Sequence, residues 1–134
     1  MDTNTLIDVV DADCDELNHL NHVVAVRYLE DAREDWYRAC GLYDGMPEGV
    51  YEQSAVVVNI NYNYAGECFL GEQVSCLSRA VVMGSKSFTL YHEIKKPDGT
   101  VAIHGECTSV IMDISARGII PVPDCMAQHL PKRK

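Results

Sequence analysis

A chain of 134 residues with 47% hydrophobic and 23% charged content is sized for one domain, residues 1–134, with its own core, which excludes disordered and fibrous classes. Its 11 Lys plus Arg against 20 Asp plus Glu give a formal net charge of −9, which argues against a surface that tracks nucleic-acid phosphates. No apolar run nears the roughly 20 residues that span a bilayer.

In chain order, "TLIDVV" (5–10) is short and β-branched and is predicted as a first strand. It delivers the chain to "DCDELNHLNH" (13–22), in which Asp13, Asp15, Glu16, Asn18, His19, Asn21 and His22 crowd a strand-to-helix junction. The following "VVAVRYLEDAREDWYRAC" (23–40) carries Ala25, Leu29, Ala32, Trp36 and Ala39 as one apolar stripe and is predicted as the single long helix. Its other side carries Arg27, Glu30, Asp31, Glu34, Asp35 and Arg38, with Arg27–Asp31 and Glu34–Arg38 spaced to pair across a turn. Gly41 supplies the stop.

After a loop at 43–49, four segments read as strands: 53–64, 72–83, 86–96 and 100–113, all rich in Val, Ile, Tyr, Phe and Thr. "KPDG" at 96–99 is a strong hairpin signal and "MGSK" at 83–86 a weaker one, so sequential antiparallel pairing is predicted. The basic tail at 131–134 is predicted to fray. One helix cannot cover both faces of such a sheet. The predicted architecture is therefore α+β, with the helix along the concave face of a curved antiparallel sheet of about five strands. Asn59, Asn61 and Asn63 alternate along 53–64 with Ile60, Tyr62 and Tyr64, which suits a sheet edge or a subunit boundary.

The six cysteines, at 14, 40, 68, 76, 107 and 125, have no metal-binding spacing and read as reduced, mostly buried thiols. The acidic start lacks the basic and apolar regions of a secretory signal, so a cytoplasmic protein is expected. Neither a glycine-rich phosphate loop, a GxSxG elbow nor a Cys/His nucleophile signature is present, which argues against a serine hydrolase. Taken alone, Asp15, Asn18 and Asn21 read as capping residues, and His19 as a group that orients a carboxylate or acts as a base.

Asp15, His19, Asn21, Tyr28, Glu30, Ala32 and Arg33, in "DELNHLNHVVAVRYLEDAR", resemble the signature of hotdog-fold acyl-CoA thioesterases of the 4-hydroxybenzoyl-CoA thioesterase-like group. "VVVNINYNYAGECFLGEQV" (56–74) is similar to that family's second and third strands, particularly in its long-chain acyl-CoA branch, and the resemblance runs over residues 5–115. It implies a hotdog fold and hydrolysis of an acyl thioester to a free acid and coenzyme A. Asp15 would be the general base or the nucleophile, with backbone N–H groups at the helix N-terminus polarising the carbonyl.

In that reading His19 and Asn21 support catalysis, while Asn18, His22, Glu30 and Asn59 are candidates for substrate binding. Arg79, Lys86, Arg117 and the tail at 132–134 are candidates for the coenzyme A phosphates. No metal or separate cofactor is implied, coenzyme A being part of the substrate, and a homodimer or homotetramer is expected to complete the site. Here the family's second Asn is replaced by His22, its usual Gly or Gln by Asn18, and an aromatic near the helix start by Ala25. Two rival readings are a hotdog hydratase or dehydratase that uses Asp15 and His19 on a hydroxyacyl or enoyl thioester, and a non-catalytic acyl-CoA-binding protein.

Overall fold

The computed structural model describes residues 1–47, 49 and 51–131. The basic tail, apart from Pro131, and two positions of the 43–49 and 50–52 connection therefore lie outside the described residues. Strand β1 (Asp2–Asp8) leads through a short 3₁₀ turn to helix α1 (His22–Cys40), and then come β2 (Gln53–Tyr64), β3 (Gln73–Met83), β4 (Ser87–Lys95) and β5 (Val101–Asp113). Two further elements close the chain, β6 (Gly118–Ile120) and the single-turn helix α2 (Asp124–Ala127).

All strand pairs are antiparallel, and the order across the sheet is β1-β3-β4-β5-β2, with β6 pairing β5. Sequential pairing holds for β3, β4 and β5, whose two hairpins fall where the turn residues predict, but not for β2, which crosses over to pair β5 while β1 takes the place beside β3. Gly84 N donates to Ser87 O between β3 and β4, and Lys96 N donates to Thr100 O between β4 and β5. Gly99 adopts φ +90 there, a left-handed conformation that glycine enters without steric cost.

The inward faces are written in the strands by alternation. Val74 and Cys76 on β3, Phe88, Leu90 and Ile94 on β4, and Ile103, Cys107 and Ile111 on β5 are all buried. Against them α1 presents Ala25, Tyr28, Leu29, Ala32, Trp36, Tyr37 and Cys40. One half of the core forms around Leu29 with Val9, Val74, Cys76 and Ile94. The other forms around Trp36 with Phe88, Leu90 and Ile111, and is closed by Val122, Met126 and Leu130 from the C-terminal segment. This is the curved antiparallel sheet with one long helix that the sequence implies, the α+β hotdog arrangement.

Several local expectations differ. The first strand is shifted toward the N-terminus: Asp2–Asp8 pairs in register with Arg79–Gln73, and Val9, past the strand end, bonds to Glu72 O and Gly71 N of the loop before β3. Ala39 is exposed, since the stripe steps by four from Trp36 to the buried Cys40. Arg27 and Arg38 do not make the expected turn pairs: Arg27 reaches Asp13 at 3.1 Å and Arg38 reaches Asp35 at 3.0 Å. The elements β6 and α2 are absent from the sequence expectation because three and four residues are too short for periodicity to register.

Strand β2 forms one edge of the sheet, as its asparagine face suggested, and it follows β5 closely only because residue 105 is glycine. A Cβ at Gly105 would lie 1.9 Å from the Asn61 carbonyl oxygen. Beyond this contact β2 is largely uncovered, with Val58 57% and Ile60 41% exposed. All six cysteines are unpaired, Cys40, Cys68, Cys76 and Cys107 being buried.

Candidate active site

The polar stretch after β1 folds back on itself before the helix begins. Asp15 N donates to His19 O and Asn18 N donates to Asp15 O, a tight loop in which Asn18 takes φ 59. Asn is one of the few side chains that tolerate this left-handed conformation. The loop brings Asp15 and His19 together: His19 Nε2 lies 2.9 Å from Asp15 Oδ2. The other carboxylate oxygen, Oδ1, accepts from Leu17 N at 2.9 Å. Both oxygens are thus fixed, yet each keeps a lone pair for a further donor.

Asn21 caps the helix, its Oδ1 accepting from Val23 N at 2.8 Å while its carbonyl accepts from Ala25 N. Asp13 is structural: it accepts from Tyr28 OH at 2.6 Å and from Arg27, tying the loop to the helix. Burial, helped by that bond, pushes the Tyr28 hydroxyl well above its usual range.

A second loop, between β2 and β3, locks onto the first. Leu20 N donates to Cys68 O at 2.7 Å, Leu70 N donates to Asn18 O at 3.2 Å, and His19 bridges to Phe69. Glu67 is thereby placed on the far side of the imidazole, its Oε1 2.9 Å from His19 Nδ1. Sequence reasoning missed Glu67, because nothing local marks "AGECF" and the contact spans 48 positions.

The two loops and the first turn of α1 enclose a cleft of about 190 Å³ lined by His19, Leu20, His22, Ala25, Tyr64, Gly66, Glu67, Cys68 and Ile103. Its lining is mainly apolar, with His19, His22 and Glu67 as its titratable members. Tyr64 reaches across it: its hydroxyl donates to the His22 carbonyl at 3.0 Å and its ring meets the His22 ring edge to face.

Of the seven residues singled out from the sequence, Asp15, His19, Asn21 and His22 gather at this cleft or its loop. Asn18 belongs to the same loop, but it is exposed and serves the backbone turn. Glu30 is exposed on the helix, two turns on from His22 and outside the cleft lining. Asn59 is exposed on the sheet edge, opposite Thr108, and also outside that lining.

The basic candidates disperse. Arg79, exposed on β3, is held by Asp2 of β1 at 2.9 Å, Lys86 and Arg117 are exposed in turns, and residues 132–134 lie outside the described residues. Among the described residues no group of three or more His, Cys, Asp or Glu side chains is arranged to hold a metal ion, and no helix is long and apolar enough to cross a membrane.

The cleft lies at the N-terminus of α1 and is lined by His19, and the Asp15 carboxylate, itself outside that lining, is held 2.9 Å from the His19 imidazole. The sequence profile of the Thioesterase-like superfamily matches residues 9–130, and the chain belongs to that family of thioester hydrolases. Its fold is similar to that of a proposed thioesterase from Pseudomonas aeruginosa, at 23% identity over 93% of this chain and 95% of the other, with a TM-score of 0.83.

A Staphylococcus aureus protein solved in complex with CoA is 16% identical over 100% of this chain and 89% of its own, with a TM-score of 0.85. A 1,4-dihydroxy-2-naphthoyl-CoA thioesterase from Synechocystis is 14% identical over 97% and 96%, with a TM-score of 0.81. No functionally curated protein is significantly similar in sequence.

Proposed function

We propose that the protein is an acyl-CoA thioesterase that hydrolyses an acyl thioester to a free acid and coenzyme A. The observation that carries this reading is the carboxylate of Asp15, fixed by Leu17 N and His19 Nε2 beside a cleft that His22 and Ala25 place over the first turn of α1. Asp15 takes a proton from water, or attacks directly, at the thioester carbonyl. Backbone N–H groups of the helix N-terminus, carrying about half a positive charge, stabilise the oxygen that becomes negative. His19 orients the carboxylate and Asn21 fixes the helix start. Coenzyme A, bound by a relative of the same fold, is the carrier this reading assigns.

The working form in this reading is a homodimer or a higher assembly of dimers. The cleft of about 190 Å³ falls below the ~300 Å³ at which ligand pockets begin. The uncovered strand β2, which supplies Tyr64 to the cleft, is the edge at which a second copy would enlarge it. The expected setting is the cytoplasm, consistent with six unpaired thiols.

Thiol release from a panel of aliphatic and aromatic acyl-CoAs tests the activity. Release that saturates with one acyl class supports the reading and names the substrate. The Asp15–His19 contact would equally serve a hydratase, so enoyl-CoA absorbance is followed in parallel; its change without thiol would replace hydrolysis by hydration.

A further inference from the structure

His19 presents both ring nitrogens to carboxylates, Nε2 to Asp15 Oδ2 at 2.9 Å and Nδ1 to Glu67 Oε1 at 2.9 Å. Each of these contacts is a hydrogen bond only if a hydrogen lies in it, because a bare ring nitrogen and a carboxylate oxygen repel. The two contacts are therefore not independent: the ring can turn neither nitrogen away from one carboxylate without disturbing the other.

From this we infer that Glu67 is a positioning residue of the site, one that acts on Asp15 through His19. It accepts the Nδ1 hydrogen and so holds the ring plane while the Nε2 hydrogen is given to the Asp15 carboxylate, the two contacts being hydrogen bonds together when both ring nitrogens carry a hydrogen. The inference rests on the thioesterase reading for what Asp15 does, but not for the coupling itself.

Glu67 is 59% exposed, and a surface ion pair alone contributes little to stability. Its place is nevertheless fixed by backbone. The neighbouring residues Cys68 and Leu70 bond to Leu20 and Asn18 of the catalytic loop, and Phe69 N donates to Glu72 Oε1. Glu72 in turn pairs with Lys96, whose ammonium lies over the Phe69 ring. On the other side Gly66 N donates to Ala102 O at 3.0 Å, so the second loop is anchored on both sides of Glu67.

The test compares wild type with Glu67→Ala and Glu67→Gln in thiol release, together with the ring-nitrogen NMR signals of His19. Glu67→Ala should lower kcat about 10-fold with KM within about twofold, below the full contribution of an acid–base group. Glu67→Gln keeps an oxygen acceptor for Nδ1–H and should recover kcat to within about threefold of wild type. The Nδ1 signal should move away from its protonated position in Glu67→Ala and stay close to it in Glu67→Gln.

An unchanged kcat in Glu67→Ala, a loss confined to KM, or a Gln variant no better than Ala would overturn the inference. If the wild type releases no thiol, the thioesterase reading fails. The nitrogen signals then decide the coupling alone, an unmoved Nδ1 in Glu67→Ala refuting it and a moved one upholding it.

Discussion

Asp15 and His19 stand four residues apart outside any helix, and yet Asp15 Oδ2 and His19 Nε2 meet at 2.9 Å. The loop between them achieves with one left-handed residue, Asn18 at φ 59, what a helical turn would otherwise supply.

That geometry separates two roles for Asn18. As a turn residue it should be replaceable by glycine, which adopts the same conformation freely, and not by valine, whose branched Cβ opposes it. Asn18→Gly should keep kcat within about twofold, and Asn18→Val should lower it about 10-fold or more by pulling Asp15 and His19 apart. If the glycine variant loses affinity for acyl-CoA instead, Asn18 contacts substrate.

A second imidazole behaves differently. His92 is wholly buried on β4, with Nδ1 against Leu77 O and Ser78 Oγ, while Nε2 has no hydrogen-bond partner among the described residues. Burial, reinforced by the nearby Arg33 guanidinium, holds its pKa down to about 4 from an ordinary 6.5. The unfolded chain therefore binds more protons than the native one between these values, and stability rises with pH across that window. Lowering the pH from 7 to 4 should cost about 3 kcal/mol from this group alone. Urea unfolding at several pH values checks it, and the corresponding part of the slope should vanish in His92→Gln.

Gly105 makes a purely steric prediction. Because a Cβ there would sit 1.9 Å from Asn61 O, Gly105→Ala must push β2 off β5. A loss of at least about 2 kcal/mol is expected, at the level of overpacking in a core. Unchanged thermal stability would show that the β2 edge is softer than its pairing indicates.

How far these features could be read in advance follows from the range over which each signal acts. The helix was legible because Ala25, Leu29, Ala32 and Trp36 repeat on one face and Asn21 and Gly41 bracket it. The long strands and their two turns were legible for the same local reasons. Asp15, His19, Asn21 and His22 were visible because they lie within eight residues of one another. Glu67 and Tyr64 were not, since only the pairing of two distant loops and the course of β2 bring them to the cleft. Glu30 and Asn59 carry the right chemistry, but Glu30 is on the helix side away from the apolar stripe and Asn59 on the edge strand, and neither borders the cleft. The register that hides Gly105 against Asn61 is equally a long-range fact.

The exposed apolar residues of β2 give the assembly its test. Val58 and Ile60, 57% and 41% exposed, would be covered if a second copy pairs along this edge. Wild type should sediment as a dimer or larger, and Val58→Lys with Ile60→Lys should shift it toward monomer and lower thiol release in parallel, since edge lysines oppose strand addition. A monomeric wild type with full activity would remove the second copy from the site.

In the thioesterase reading one carboxylate, that of Asp15, carries the hydrolysis. The most direct measurement is kcat for thiol release from the best acyl-CoA substrate by wild type and Asp15→Asn, with circular dichroism and melting temperature showing both to be folded. A fall of about 100-fold or more is expected in the variant, the range for loss of a general base or nucleophile. Equal turnover in the two proteins would contradict it.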